Sequence, residues 1–165
     1  MICFHNPEEE NGYLSNWYFS EFTVAGVTFS TMEQYMMYEK ALLFQDQETA
    51  EKILQTDNVA EIKALGRAVR YFDDKIWIKA REEIVYRGVL EKFRQNPELA
   101  EKLEQTDEDI IAECAVKDRI WGIGLSMKDE NRLCPDKWRG QNLLGKVLMR
   151  VREDIRQQNR ATYAF

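Results

Sequence analysis

The apolar pattern near the C-terminal end constrains the fold most strongly. Six apolar residues recur there at the spacing of helical turns: Leu143, Leu144, Val147, Leu148, Val151 and Ile155. A stripe with this period occupies one face of an α-helix and has to be buried against other elements. A chain of 165 residues buries about 70 % of its unfolded surface, so its core needs neither a disulfide nor a metal. The sequence therefore predicts a globular protein built around this helix.

Further helices are predicted upstream by period and by capping residues. Thr31 stands three residues before a glutamine, which is the spacing of a capping box, and predicts a helix over 32–44. Asp46 is a candidate cap for a second, short helix. The other predicted helices cover residues 59–69, a long segment that starts at Asp73, and a segment that opens with a proline after Asn96.

A short hairpin is predicted before the first helix. Residues 22–24 and 27–29 favour strands, and they flank Ala25-Gly26, where the glycine is free to take a positive φ. Together with the helices, this predicts an α+β fold that is predominantly α-helical, with a few short β-strands. Length predicts a single domain over residues 1–165.

The composition argues against several classes of protein. No apolar run approaches the length of a transmembrane helix, and no basic segment followed by an apolar stretch predicts a secretory signal. The three cysteines are Cys3, Cys114 and Cys134. An odd count without a Cys-x-x-Cys pair disfavours a disulfide framework or a zinc site and favours the cytoplasm. The net charge of −6 argues against a broad basic surface for duplex nucleic acid.

The scarcity of histidine narrows the chemistry. The only one is His5, close to a chain end that we expect to be weakly ordered. One histidine cannot build a histidine metal site within one chain, and a Ser-His-Asp or Cys-His relay would have to use His5. We therefore expect no metal and no cofactor. Carboxylates, lysine, tyrosine and backbone amides would carry any catalysis.

Lys40 stands in an apolar part of the first predicted helix. Its neighbours three and four positions away are Met36, Met37, Leu43 and Phe44. Such a setting disfavours the charged form of lysine and lowers its pKa, and a neutral amine is a nucleophile. Glu33 lies two turns earlier on the same face, with Tyr35 close by. The alternative is that Lys40 lays its stem over the core and keeps its ammonium in water.

Glu113 belongs to a predicted strand over residues 109–115. Ile111 and Ala115 share its strand face, so the carboxylate has apolar neighbours. A carboxyl group in such surroundings can exchange protons near neutral pH. The alternative is an inward-pointing charge that protects an edge strand from aggregation.

A compact turn over residues 118–124 joins an acid, an aromatic ring and two glycines. Trp121 could stack on a base or a nicotinamide-like ring. Gly122 and Gly124 could let backbone amides approach a phosphate. The alternative for Trp121 is a place in the core.

The segment that opens the last helix has the features of an anion site. Free amides and the helix dipole bind anions at helix N-termini, and Arg139 adds a charge, so we expect a phosphate near Arg139 and the amides around Gly140. The alternative for Asn142 is a plain N-cap. Gly145 costs about 1 kcal/mol against alanine in a helix interior, which predicts a close backbone approach at this position.

Seven motifs taken in order are similar to one known family. They are Leu14-Ser15-Asn16-Trp17-Tyr18, Thr31-x-Glu33-Gln34-Tyr35, Lys40-Ala41, Leu65-Gly66-Arg67, Ala112-Glu113, Asp118-x-x-Trp121-Gly122-Ile123-Gly124, and Trp138-x-Gly140-x-Asn142-Leu143-Leu144-Gly145. Each motif alone is weak, but seven in order from about Phe4 to Arg152 are specific. Together they resemble the NADAR domain, the family that includes YbiA-like N-glycosidases.

The resemblance implies a compact, mostly helical fold and hydrolysis of the bond between ribose C1′ and a base nitrogen. One implied substrate class is ADP-ribose attached to guanine in nucleic acid, which would go with an ADP-ribosyltransferase toxin as genomic partner. The other is a phosphoribosylamino-pyrimidine from early riboflavin synthesis. Both are nucleotide-like, and neither requires a membrane.

The resemblance also implies roles for individual residues. Glu33, Lys40, Glu113 and Asp118 fall at catalytic positions. Glu113 would stabilise the sugar cation or transfer protons, Asp118 would orient water or a ribose hydroxyl, and Lys40 would attack C1′ to give an imine. The expected substrate contacts are Trp121, Tyr35, Trp17, Asn16, Gly122, Arg139 and Asn142.

One position departs from the family pattern. YbiA carries a histidine beside the helix glutamate, where this chain has Gln34, so the substrate preference of YbiA need not transfer. Two non-catalytic functions remain as alternatives: a module that binds ADP-ribose without cleaving it, and a structural protein with a buried polar network.

Overall fold

A computed structural model describes residues 1–164, and these residues form six α-helices and four short strands. The helices are α1 (Met32–Leu43), α2 (Gln47–Leu54), α3 (Val59–Arg67), α4 (Asp74–Gln95), α5 (Pro97–Glu104) and α6 (Leu143–Tyr163). The strands are β1 (Ile2–Phe4), β2 (Phe22–Val24), β3 (Val27–Phe29) and β4 (Ile111–Glu113). The predicted α+β class with a predominance of helix is confirmed.

The chain divides into two compact units. The central unit is Phe19–Gln95, and the terminal unit combines Met1–Tyr18 with the chain from Asn96 onward. The central unit holds the hairpin β2–β3 and helices α1 to α4, whereas the terminal unit holds β1, β4, α5 and α6. The single domain that the length favours stays a prediction.

Helix α1 is the centre of the central unit, where it packs against α2, α3 and α4. Its Tyr35 is fully buried and meets the rings of Phe22 and Phe29 at centroid distances of 5.9 and 5.3 Å. The Tyr35 hydroxyl donates to the carbonyl oxygen of Ile84 in α4, at 2.7 Å. This residue therefore joins the hairpin, α1 and α4 in one core.

The start of α1 confirms half of the predicted capping box. The hydroxyl of Thr31 accepts a hydrogen bond from the backbone N–H of Gln34 at 3.1 Å. The Gln34 side chain does not return to Thr31: its oxygen accepts from the N–H of Ser30, and its amide donates to the carbonyls of Ile53 and Thr56. These bonds tie α1 to the end of α2.

The hairpin and the second helix agree with their sequence signals. Ala25 and Gly26 both take positive φ, 49° and 81°, as expected for a tight turn between twisted strands. The fully buried carboxylate of Asp46 accepts from the N–H of Thr49 and thereby caps α2. It also binds the guanidinium and N–H of Arg70, which hold the pKa of Asp46 well below its usual range.

Two predictions about the terminal unit need correction. The strand predicted over residues 109–115 is only the three residues of β4, which pairs in parallel with β1. The chain end expected to be weakly ordered forms β1, because its backbone completes this pair and the Met1 amine lies 3.2 Å from the carboxylate of Asp109. Strand β4 is also buried on both faces, since Ile111 and Ala112 are fully buried.

Helix α6 confirms the apolar stripe from which the fold was predicted, and it packs against β4. Gly145 sits at the closest approach. A Cβ on Gly145 would lie 2.1 Å from the carbonyl oxygen of Ile111, so only glycine fits there. The predicted close backbone approach is therefore confirmed, and it fixes β4 against the first turn of α6.

No helix within residues 1–164 is both long enough and apolar enough to cross a membrane.

Candidate active site

Asn142 holds the end of β4 in place. It adopts a left-handed backbone conformation with φ 53°, and its side chain makes no cap bond to α6. Instead its oxygen accepts from the N–H of Glu113 at 3.1 Å, and its amide donates to the carbonyl of Ile111 at 2.9 Å. The plain N-cap interpretation is wrong. Asn142 is also only 1 % exposed, so its position supports a structural role rather than the predicted substrate contact.

Glu113 is the carboxylate that this arrangement positions. The side chain is half-buried, and its Oε2 atom is shielded from solvent. Its backbone is held on two sides, because the N–H donates to Asn142 and the carbonyl accepts from Ile123 at 2.9 Å. These bonds fix the point of the backbone from which the carboxylate extends, which favours general acid–base or electrostatic catalysis at one place.

Asp118 shapes the loop that follows β4. Its Oδ1 accepts hydrogen bonds from the N–H groups of Ile120 and Trp121, at 2.9 and 2.8 Å. Within residues 1–164, Oδ2 of the same carboxylate has no hydrogen bond and remains available for a water or a hydroxyl. Asp118 thus fixes the backbone of the half-buried Trp121 and still presents an acceptor.

Gly122 brings the pieces of this loop together. A Cβ on Gly122 would lie 3.0 Å from the carbonyl oxygens of both Asp118 and Glu113. The chain therefore folds back tightly enough to bring the end of β4, which carries Glu113, next to the loop that carries Asp118 and Trp121. Gly122 itself is buried, so its contribution is close packing rather than an exposed amide.

The predicted phosphate site at the start of α6 needs correction. The N–H groups of Gln141, Asn142, Leu143 and Leu144 donate to the carbonyls of Arg119, Gly122, Ile120 and Trp121. The N–H of Arg139 is likewise taken by Ile123. Since the loop carbonyls already satisfy these donors, the first turn of α6 offers no row of free amides to an anion. Only the exposed side chain of Arg139 is left from that prediction.

The Leu-Ser-Asn-Trp-Tyr segment also belongs to the terminal unit. Trp17 is 36 % exposed, so its indole can meet a ligand, whereas Asn16 is buried. The backbone N–H of Trp17 donates to the hydroxyl of Ser15 at 3.1 Å, which fixes the turn that carries the ring.

Lys40 of the central unit lies against aromatic rings. Its Nζ is 4.6 Å from the ring centroid of Phe72 and 5.8 Å from that of Trp77. Burial lowers the pKa of Lys40; the charge of Glu33 raises it, and that of Arg67 lowers it. The desolvation predicted from helix spacing is present, and Lys40 as a whole is half-buried rather than fully enclosed.

Sequence spacing missed the two rings above this amine. Of the four predicted neighbours, Met36, Met37 and Phe44 are buried but Leu43 is 36 % exposed, and all four come from α1 or its end. Phe72 and Trp77 come from the segment before α4 and from α4 itself. Helical spacing compares positions within one helix, so it could not pair them with Lys40. The nearest signal was Trp77 on the apolar face of α4.

Two other predicted site residues of the central unit are buried. Glu33 is 5 % exposed, and its charge acts on Lys40. Tyr35 has no exposed surface, and its hydroxyl is engaged with Ile84. The predicted contact of Tyr35 with substrate is at odds with this position, because the aromatic core surrounds the whole side chain.

Comparison with known proteins identifies the family. The NADAR domain model matches residues 3–156. The chain belongs to the NADAR family. This match runs through parts of both units.

Relatives and a solved structure agree with the family match. "N-glycosidase R617" of Acanthamoeba polyphaga mimivirus is 43 % identical over 92 % of this chain and 85 % of its own length. "Riboflavin biosynthesis protein VVA0006" of Vibrio vulnificus is 32 % identical over 94 % of this chain, which spans only 39 % of that protein. The NMR structure of the E. coli protein YbiA superposes with a TM-score of 0.79 at 26 % identity, covering 96 % of this chain and 86 % of YbiA. The NADAR family to which the chain belongs thus includes N-glycosidases.

The departure at Gln34 has a structural explanation. The side chain is 3 % exposed and its polar atoms serve the backbones of Ser30, Ile53 and Thr56. In this NADAR protein the position therefore faces the interior of the central unit.

Within residues 1–164, no three or more histidine, cysteine, aspartate or glutamate side chains are grouped closely enough to hold a metal ion. Metal independence stays a prediction.

Proposed function

We propose that this NADAR protein is an N-glycosidase that hydrolyses the bond between ribose C1′ and a base nitrogen, and that its substrate is ADP-ribose attached to guanine. The observation that carries the proposal is the close approach, at Gly122, of the end of β4, where Asn142 holds the backbone of Glu113, to the loop that carries Asp118 and Trp121. The name N-glycosidase on a relative with 43 % identity supports it. Because the family match runs through parts of both units, we also propose that residues 1–165 act as one domain.

The reaction must stabilise the charge on the sugar, protonate the departing base and position the nucleophile. The terminal unit offers a candidate residue for each requirement. Cleavage of C1′–N develops positive charge on the sugar, which the carboxylate of Glu113 stabilises electrostatically. The departing base takes the bonding electrons and needs a proton. Glu113 can supply this proton if it acts as a general acid instead of as a charged group. Oδ2 of Asp118 orients the incoming water or a ribose hydroxyl, and the indole of Trp121, with that of Trp17, stacks on the base.

Lys40 offers a covalent variant of the same hydrolysis. Its amine forms a bond to C1′ while the base leaves with the electron pair and takes up a proton. Opening of the ribose ring turns the adduct into an imine, and water then hydrolyses the imine, releasing the sugar and restoring the amine. Partial desolvation of Lys40 raises the neutral fraction that this attack requires.

A second substrate class has its own support. The Vibrio relative is named a riboflavin biosynthesis protein, which favours a phosphoribosylamino-pyrimidine as an alternative substrate for the same bond cleavage. A non-catalytic module that binds ADP-ribose is the other alternative. A binding module of this kind would not explain why the carboxylate of Glu113 is partly buried.

One experiment separates these functions. The protein is incubated with an oligonucleotide ADP-ribosylated on guanine and, in parallel, with a phosphoribosylamino-pyrimidine, and the released sugar is measured by mass spectrometry. Free ADP-ribose supports the proposal, and release from the pyrimidine alone supports the riboflavin-type substrate. Binding of ADP-ribose without any release would replace the enzyme by the binding module.

The same assay tests metal independence. Prolonged dialysis against EDTA should leave the rate unchanged, because no cluster of ligands for a divalent ion is present in residues 1–164. A rate that is lost on dialysis and returns with Mg²⁺ or Zn²⁺ would contradict this expectation.

A further inference from the structure

Two arginines of the terminal unit lie side by side across Gly124. A Cβ on Gly124 would be 3.0 Å from the Cβ of Arg139 and 3.4 Å from the Cγ of Arg119. Gly124 has φ 73°, a conformation that favours glycine. The absence of a side chain at this position therefore leaves room for both arginine stems over the same α-carbon.

The backbone fixes this pairing. The N–H of Arg139 donates to Ile123 at 2.8 Å, and the carbonyl of Arg119 accepts from Gln141 at 2.8 Å. Gly140, between these bonds, passes so close that a Cβ there would lie 2.9 Å from the Cα of Arg119. The two segments that carry the arginines are thus held together by hydrogen bonds on both sides of a tight crossing.

Both side chains are exposed, and within residues 1–164 neither forms a hydrogen bond or an ion pair. The stretch of sequence that carries them is basic, because residues 117–150 contain eight lysines and arginines against four acids, in a chain of net charge −6. Two guanidinium groups without acidic partners repel each other unless an anion lies between them. The pair is therefore suited to an anionic phosphoryl group that accepts hydrogen bonds from both arginines.

We propose that Arg119 and Arg139 together bind the phosphoryl group on C5′ of the ribose whose C1′–N bond is cleaved, which rests on the function proposed above. Arg119 adjoins Asp118, and Gly124 ends the loop that carries Trp121. The arginine pair would thus hold the sugar at its phosphate end while the loop contacts C1′ and the base. The two arginines would thus bind the phosphate that the amides at the start of α6 cannot bind.

The chemistry of the ligand follows from the guanidinium group. Its planar fork forms two parallel hydrogen bonds to phosphate oxygens, which a lysine ammonium cannot match. A phosphoryl group on C5′ is common to ADP-ribose and to a phosphoribosylamino-pyrimidine. The inference therefore concerns the recognition of the sugar, and it holds for either base.

Binding measurements without turnover test the pair directly. Isothermal titration with inorganic pyrophosphate and with ADP-ribose is carried out on the wild type, Arg119→Gln, Arg139→Gln and the double variant. Each single change should weaken both ligands about tenfold, the scale of one charge-assisted hydrogen bond. Lys128→Gln removes an exposed charge from the segment that follows Gly124 and should change affinity less than about twofold, since solvent and salt screen it. Unchanged affinity in the double variant would overturn the proposal.

A further ligand distinguishes the phosphate of the sugar from that of nucleic acid. An oligonucleotide without ADP-ribose should bind the wild type and the double variant equally. If the double variant loses the oligonucleotide but keeps ADP-ribose, the arginines contact the nucleic-acid backbone and the proposal is wrong. Replacement by lysine should restore only part of the ADP-ribose affinity, because the charge returns without the fork.

The outcome is independent of the catalytic function. If ADP-ribose binds through the arginines but no sugar is released from either substrate, the phosphate site stands and the N-glycosidase function fails. If sugar is released at the same kcat/KM by the wild type and the double variant, the function stands and the phosphate site fails.

Discussion

The candidate groups of the two units are held by opposite means. In the terminal unit, the buried amide of Asn142 holds the backbone of Glu113, and the carboxylate of Asp118 accepts hydrogen bonds from two backbone N–H groups. In the central unit, Lys40 is surrounded by rings, with Phe72 at 4.6 Å and Trp77 at 5.8 Å from its Nζ. The first environment fixes the position of a group, whereas the second sets its protonation.

This difference separates two requirements of catalysis. A carboxylate that stabilises charge or transfers a proton depends on geometry, so changes in its supporting bonds should reduce the rate at every pH. An amine that attacks carbon depends on its neutral fraction, so a change in desolvation should shift the pH at which it works. Substitutions around the carboxylates should therefore lower the rate at every pH, whereas substitutions around the lysine should shift the pH dependence of the rate.

Replacement of the lysine should have the largest effect. Lys40→Arg keeps the charge over the rings, but a guanidinium stays protonated and cannot attack. If Lys40 is the nucleophile, turnover should fall by roughly 10⁴-fold or more, as when other nucleophiles are removed. Borohydride added during turnover should reduce the imine and leave a sugar adduct on the wild type, which peptide mapping places between Glu39 and Ala41.

The control for this variant is Lys75→Arg, an exposed lysine of the same unit, which should keep both rate and adduct. Normal turnover of Lys40→Arg without an adduct would show that water is the nucleophile. Lys40 would then be a lysine that lays its stem over the core.

Replacement of the carboxylate should come next. Glu113→Gln keeps the shape of the side chain and removes its charge, so turnover should fall about 10²-fold or more, the scale of one acid–base group. The melting temperature should change little, because the backbone bonds to Asn142 and Ile123 remain. Glu130→Gln, an exposed glutamate of the same unit, is the control. Full activity of Glu113→Gln would remove this residue from the mechanism.

The sequence predicted the helices and the local hairpin β2–β3 well, and the distant pair β1–β4 poorly. The stripe from Leu143 to Ile155 and the caps at Thr31 and Asp46 act within one helix, so their spacing suffices. Strand β1 was missed because three residues at a chain end have no period of their own, and their partner β4 is more than a hundred residues away. Its pairing is a tertiary contact that no local pattern contains.

The site divides in the same way. Neighbours in sequence, such as Asp118 and Trp121, form the expected turn. The hydrogen-bond partners of the amides at the start of α6 could not be predicted, because their acceptors are carbonyls of a loop some twenty residues earlier. Tyr35 and Asn142 were expected to contact the substrate because they belong to the motifs of the family resemblance, yet the side chains of both bind buried backbone groups. A polar side chain in a motif either contacts the substrate or satisfies buried backbone groups. Its hydrogen-bond partners in the folded protein show which of the two it does.

A substitution at Gly145 tests the packing of α6 against β4, which positions Glu113. In Gly145→Ala the added methyl would lie 2.1 Å from the carbonyl oxygen of Ile111 and close to the side chain of Asn142. The cost of such overpacking exceeds the helix preference of alanine, so the free energy of unfolding should fall by about 2 kcal/mol. Urea denaturation measures this, and Lys146→Ala at the next, exposed position should change it little. Equal stability of both variants would mean that β4 can move away from α6 without cost.

A second lysine of the central unit sharpens the contrast with Lys40. Lys92 in α4 is 1 % exposed, with its Nζ 5.3 Å from the ring centroid of Phe93, and burial lowers its pKa to about 7. Neutrality alone therefore does not single out Lys40. Lys40 combines a lowered pKa with access to solvent, whereas Lys92 is enclosed and should affect stability instead of reaction.

The stability of the protein should accordingly depend on pH through Lys92. Below pH 7 this lysine is charged in both states, and the folded protein bears the full cost of burying the charge. Between about 7 and its ordinary value of 10.5, the unfolded chain holds a proton that the folded chain has released. Unfolding then takes up a proton, so the free energy of unfolding should rise with pH by about 1 kcal/mol per unit. Urea denaturation from pH 6 to 10 measures this rise as the difference between the wild type and Lys92→Met, which packs a similar volume without a charge. Parallel curves for the two proteins would mean that Lys92 keeps its proton inside the fold, and burial would then be a poor guide to the protonation of Lys40 as well.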